Sequence, residues 1–432
     1  AKPVRVLALA ASVGFGIGIL VYYKYWNLLA DTVGGSILSH RENLLAPLGL
    51  SYFTFAAMSY TIDVYKRRCR VETNLLHYAL FVSFFPTLIN GPIERYPQMR
   101  PQIQKSRRFS YGRCAGGAFR MLWGYTKKMV LADNLSHYVS LVYGDVGSMS
   151  GPNLVAATVL FAVQLYMDFS GSMDAVTGTA QILGVTMPEN FRQPFFSKTI
   201  SEFWKRWHIT LGTWFKDYVF YPVVTLKPLE KLTSAARKRL GNHYGPLLAS
   251  AVALFCVWFC NGLWHGAAWS YLFFGMYHFV LILGGNIIAP PVRAVNARLH
   301  IRAESFPYRL LQMLRTTVLV IIGELFFRAN GLRAGMQMFR TMVTGFAFPV
   351  FDDALFKALG IDKFDLMIVA VTLLIVFVVS VINEKGKSVR ALLAQRPAAV
   401  RWTVFYALIL FIIVFGAYGK GYIPVDPMYA NF

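Results

Sequence analysis

The 432-residue chain is 56% hydrophobic and 16% aromatic, with 15% charged residues and a mean hydropathy of +0.46. A soluble domain carries about 25% charged residues, so this composition excludes an ordinary soluble protein. The net charge of +22, from 43 basic and 21 acidic residues, would suggest nucleic acid in a soluble chain; in a hydrophobic one it reads as basic loops beside anionic membrane lipid, and no nucleic acid partner is expected.

The chain begins Ala1-Lys2-Pro3, with neither a methionine nor a signal-peptide pattern, so residues before Ala1 are expected in the natural protein. Apolar runs at 4–23, 44–65, 75–93, 115–131, 154–169, 247–262, 267–288, 310–327, 366–382 and 402–418 predict an all-α polytopic membrane protein with roughly ten transmembrane helices. The runs are continuous rather than alternating, which argues against barrel strands. The run 75–93 contains Pro86, Gly91 and Pro92 and is expected to be broken or re-entrant. The run 115–131 carries Arg120, Lys127 and Lys128, so a tilted or partly interfacial helix and a full span are equal readings. Segment 201–221 mixes Trp204, Trp207 and Trp214 with Lys205, Arg206, His208, Lys216 and Asp217, and is expected as one interfacial or cavity-lining helix.

Basic clusters at Lys66-Arg67-Arg68-Cys69-Arg70, at Lys227 to Arg239 and at Lys385 to Arg401 place three loops in the cytoplasm. The tail 419–432 then emerges on the opposite, external face. No internal repeat is visible, and 1–432 reads as a single membrane domain. The four cysteines, Cys69, Cys114, Cys256 and Cys260, form neither a metal-ligand cluster nor a disulfide framework and read as structural thiols.

The run 247–288 contains no lysine, arginine, aspartate or glutamate, and at its centre stands Asn261-Gly262-Leu263-Trp264-His265-Gly266. An ionisable group at membrane depth costs at least a few kcal/mol and is a functional candidate by default. Histidine titrates near pH 6.5 and can exchange a proton under physiological conditions. His265 is therefore either a base or a packing residue; Asn261, one turn earlier, is placed to orient it, and Trp264 offers an apolar wall with one donor. His208, after Trp204-Lys205-Arg206-Trp207, is either an interfacial histidine or a second group of the same polar cavity.

Asp168 ends an apolar run and needs a cation, for which Arg206 and Lys205 are candidates. Glu324 is expected to pair with Arg328, and Glu94-Arg95 to lie at an interfacial turn. His40, His77, His137, His243, His278 and His300 have no comparable setting and are assigned no role. No phosphate loop, dinucleotide fingerprint, zinc-protease helix or nucleophile elbow occurs. A base without a protein nucleophile fits transfer of an acyl group from a thioester to a hydroxyl, chemistry that requires no metal and no bound cofactor.

Several stretches together resemble the membrane-bound O-acyltransferase family, in particular its bacterial branch of alginate O-acetyltransferases and teichoic-acid D-alanyltransferases. They are Pro47-Leu48-Gly49-Leu50-Ser51-Tyr52, Ser59-Tyr60-Thr61-Ile62-Asp63-Val64-Tyr65, Phe85-Pro86-Thr87-Leu88-Ile89-Asn90-Gly91-Pro92-Ile93, Asp168-Phe169-Ser170-Gly171, Pro188-Glu189-Asn190-Phe191, Glu202-Phe203-Trp204-Lys205-Arg206-Trp207-His208 and Asn261-Gly262-Leu263-Trp264-His265-Gly266. The resemblance implies a ring of helices around a central tunnel, with His265 as the catalytic histidine and His208 as the second motif residue inside it. It also implies a cytoplasmic thioester donor, either acetyl-coenzyme A or an acyl or D-alanyl carrier protein, and a cell-surface glycopolymer as acceptor. In the tail, Tyr429 and Phe432 resemble a C-terminal motif whose tyrosine relays the acyl group to an extracytoplasmic transferase partner, although Pro427 stands where phenylalanine usually leads. Val223-Val224-Thr225 follows Tyr221-Pro222 where Gly-Gly-Asn-Arg is usual in the alginate branch, and Ser172 replaces a common aromatic; the resemblance does not extend to alginate as substrate. The rival reading is a transporter or flippase of an envelope precursor without chemistry, but the repeat symmetry and paired broken helices common in transporters are not evident.

Overall fold

The computed structural model describes residues 2–34, 37–42, 44–345 and 363–418, and every regular element among them is helical. The principal helices, in chain order, are α1 (Lys2–Leu20), α2 (Leu50–Tyr65), α3 (Leu75–Val82), α4 (Tyr111–Tyr125), α5 (Gly151–Ile182), α6 (Ile200–Arg206), α7 (Ile209–Phe215), α8 (Lys227–His265), α9 (Trp269–Arg298), α10 (Phe306–Arg328), α11 (Lys363–Glu384) and α12 (Ala398–Phe415). Seven helical stretches among the described residues are long and apolar enough to cross a membrane. The chain is a multi-pass membrane protein. Tyr429 and the tail 419–432 lie outside the described residues.

Three of the expected spans take other forms. Run 44–65 yields the 16-residue α2, preceded by Gly49 at φ 72°. A Cβ at Gly49 would collide with the Leu88 carbonyl, so the left-handed turn and the close backbone approach both demand glycine. Run 75–93 is broken into α3 and the single turn Phe85–Leu88, as its prolines and glycine require. Run 115–131 continues from α4 into a π-helical segment, Thr126–Ala132.

The chain divides into two compact units, Ala1–Asn190 with Gln337–Phe432, and Phe191–Met336. In the first, α4 and α5 cross through glycines. A Cβ on Gly117 would lie 2.6 Å from the Gly178 carbonyl oxygen, and Gly124 meets Gly171 in the same way one heptad further on. Small residues let two backbones touch, which is how helices associate without a hydrophobic drive inside lipid.

The same face of α4 carries its charges inward. Arg120 donates to Asp174 at 2.7 Å and to Glu189 at 2.8 Å; Lys127 donates to Asp174 at 2.7 Å and to Ser170 at 3.0 Å. Both cations, Arg120 in α4 and Lys127 in the π-helical segment that follows, are buried. The carboxylates of α5 compensate charges that would otherwise seek water.

In the second unit, α8 is interrupted at Gly241 (φ 77°), so its basic amphipathic limb is distinct from the apolar limb that ends at His265. Helix α9 contains Pro290 and Pro291. These lack the N–H groups that the Asn286 and Ile287 carbonyls would accept from. A ring nitrogen of His243 donates to Asn286 O at 3.0 Å and the Tyr244 hydroxyl to Ile287 O at 3.3 Å. Two side chains of α8 thus satisfy the acceptors that the double proline orphans.

Candidate active site

Helix α8 ends at His265 because Gly266 leaves helical geometry and the chain turns at once into α9. Helices α8 and α9 then cross tightly. A Cβ on Gly262 would lie 2.7 Å from the Tyr271 carbonyl oxygen, one on Gly275 would meet the Trp258 carbonyl, and one on Gly266 would meet the Tyr271 ring. This approach presses aromatic rings onto the imidazole. Trp264 and Phe327 lie 5.0 Å from it, Phe274 5.6 Å and Tyr271 6.4 Å, the first three edge to face. His265 is 4% exposed. Four aromatic rings border it. Asn261 is 8% exposed and its Oδ1 is a buried acceptor without a hydrogen-bond donor; the rings of Trp264, Phe274 and Phe327 pack against the imidazole.

His208 is presented differently. The expected single helix at 201–221 is three pieces: α6, α7 and the π segment Lys216–Phe220. Between α6 and α7, Trp207 is extended and His208 is left-handed at φ 43°, ψ 55°. That conformation costs a non-glycine residue about 1 kcal/mol and persists only when its surroundings enforce it. The enforcement is aromatic: the Trp207 ring stacks on Phe203 at 5.5 Å and meets Phe191 edge-on at 5.1 Å. Arg206 is tied to Glu202 at 2.7 Å, one turn back along α6. His208 is 3% exposed, and burial drops its imidazole to about 3, so it is neutral at physiological pH. Its ring lies 5.5 Å from Trp264. The one indole therefore contacts both histidines.

The other candidates sort differently. Asp168 is buried in α5 and pairs with Lys128 at 3.0 Å, not with Arg206 or Lys205. It belongs to the charge network of the first unit, because α5 faces the basic end of α4. Glu324 is buried on the inner face of α10 with Oε2 unpartnered. The expected pair with Arg328 does not form. Trp204 donates its indole N–H to His278 Nδ1 at 3.2 Å. His278 was missed from sequence, although it shares the charge-free run of His265; Tyr271, Phe274 and Phe327 could not be found without knowing how α8, α9 and α10 pack.

Comparison with known proteins agrees with the motif pattern. Residues 44–237 match the model of the membrane-bound O-acyltransferase family, a stretch that includes His208. The probable alginate O-acetylase AlgI of Pseudomonas aeruginosa is 31% identical over 330 residues, 75% of this chain and 58% of that protein. The peptidoglycan O-acetyltransferase of Helicobacter pylori is 29% identical over 355 residues, 76% of this chain and 63% of its own length. The teichoic acid D-alanyltransferase of Bacillus subtilis is 29% identical over 247 residues, 56% of this chain and 59% of its own. The chain thus spans less than two thirds of each of these relatives. Residues 44–237 thus carry a membrane-bound O-acyltransferase family domain.

Proposed function

We propose that this chain is an O-acyltransferase that moves a small acyl group, acetyl or D-alanyl, from a thioester to a hydroxyl of a cell-surface polysaccharide or teichoic acid. The observation that carries this reading is the pair of buried imidazoles, His265 and His208, against the single Trp264 indole. Relatives named for O-acetylation of alginate and peptidoglycan and for D-alanylation of teichoic acid support the substrate class.

In this reading His265 takes the proton of the acceptor hydroxyl as its oxygen attacks the thioester carbonyl. A carbon–oxygen bond forms, the carbon–sulfur bond breaks, and the proton returns to the departing thiolate. Neutral His208 supplies a hydrogen bond without a second charge. The aromatic wall around His265 excludes water, which would otherwise hydrolyse the thioester. The donor is acetyl-coenzyme A or an acyl carrier protein on the cytoplasmic side of a bacterial cell membrane, acting as co-substrate. The acceptor is reached on the outer face, directly or through Tyr429 and an extracytoplasmic transferase.

His265→Ala should lower ester-linked acyl groups on the cell envelope by about a hundredfold or more, the usual range for loss of a general base. Unchanged acylation with normal protein levels rejects the role.

A further inference from the structure

His278 is fully buried in α9, at 0% exposure. Its Nδ1 accepts the indole N–H of Trp204, which fixes the neutral tautomer with the proton on Nε2. The ring has no freedom to leave this arrangement. It lies 4.7 Å from Phe274 and 5.4 Å from Trp258, and on its other edge a Cβ at Gly323 would stand only 2.7 Å from Nε2. Trp204, in turn, packs on Trp258 at 5.0 Å and on Phe203 at 5.3 Å.

Trp204 lies in α6, one turn before His208. Phe203, its neighbour, is the ring on which Trp207 stacks. The left-handed backbone of His208 therefore rests on an aromatic assembly that includes the directional Trp204–His278 hydrogen bond. Ring packing alone lets an indole slide; a hydrogen bond from its single donor sets its rotation. His278 also touches Phe274, which contacts His265, so one residue lies behind both candidate histidines.

We propose that His278 is a positioning residue: by accepting from Trp204 it sets the α6–α7 junction and holds His208 in its strained conformation beside Trp264. The effect on acyl transfer rests on the function proposed above, whereas the effect on the junction does not.

Asparagine and leucine have nearly the same shape, and only asparagine can present an acceptor near the place of Nδ1. The comparison is therefore His278→Asn against His278→Leu in the full chain reconstituted in lipid nanodiscs. Two readouts are taken: hydrogen–deuterium exchange of peptides covering 200–215, and discharge of labelled acetyl-coenzyme A. Loss of one hydrogen bond in a strained junction should speed exchange in H278L about tenfold and lower kcat by a similar factor, with KM for acetyl-coenzyme A little changed. H278N should stay within about threefold of wild type on both, since it keeps the acceptor. Equal exchange in H278N and H278L, or wild-type exchange in H278L, overturns the proposal. If wild-type protein discharges no thioester, the enzymatic reading fails while the exchange comparison still decides the positioning role.

Discussion

Glu94 and His208 show how burial sets the chemistry of single residues in this chain. Glu94 follows the broken run at Asn90-Gly91-Pro92 and is 5% exposed. Burial pushes its carboxyl up to about 8, with the Arg95 backbone amide opposing. A folded-state value above the ordinary 4.5 means that the folded chain binds more protons than the unfolded one between those limits. Its contribution to stability therefore falls as pH rises from 4.5 to about 8. His208 has the opposite sign: its value is depressed from 6.5 to about 3, so stability is lost as pH falls through that window. The two overlap, and Glu94→Gln separates them. The melting temperature of E94Q relative to wild type should climb steadily between pH 4.5 and 8; a difference that does not vary with pH contradicts the buried-carboxyl account.

Residue types were legible in the sequence where a charge or imidazole interrupts an apolar run. His265 stands out in this way and His208 only through the Trp204-Lys205-Arg206-Trp207 stretch before it; both are buried against Trp264. Partner choice was not legible. Asp168 sits near the Lys205-Arg206 motif only as a pattern; its cation is Lys128, which the sequence places in a different run. Glu94 was expected at an interfacial turn and is instead buried, because the break in its run folds inward.

At the level of elements, the closest helix pairs depend on backbone contact. Gly117, Gly124, Gly171 and Gly178 bring α4 onto α5, and the resulting proximity lets Asp174 reach both Arg120 and Lys127. Gly124→Val would force the helices apart and should destabilise the protein by about 1–3 kcal/mol, with the buried ion pairs weakened in addition. Gly284→Ala is the control, since nothing lies within 4 Å of its added Cβ; it should change stability by less than about 1 kcal/mol. Equal melting temperatures for the two variants contradict the close-approach account. Apolar periodicity gave the long helices without difficulty. It left the partners of Arg120 and Lys127 open, because their carboxylate, Asp174, lies on another helix. It also merged α6 and α7, since no propensity rule anticipates a left-handed histidine held by stacked rings.

At the level of the whole molecule, the family-domain match, the apolar helices and the paired imidazoles support the acyl transfer proposed above. The basic surplus of +22 suits a membrane protein whose loops meet anionic lipid. Both candidate histidines, the indole between them and the positioning histidine lie in the unit Phe191–Met336. The proposed site is thus concentrated in a segment whose sequence is almost free of charge in its apolar helices. The most direct test uses the purified chain in lipid nanodiscs with acetyl-coenzyme A radiolabelled in the acetyl group. Wild-type protein should release coenzyme A and pass the label to an added hydroxyl acceptor, and His265→Ala should do so at least about a hundredfold more slowly; equal rates for the two proteins would contradict the account.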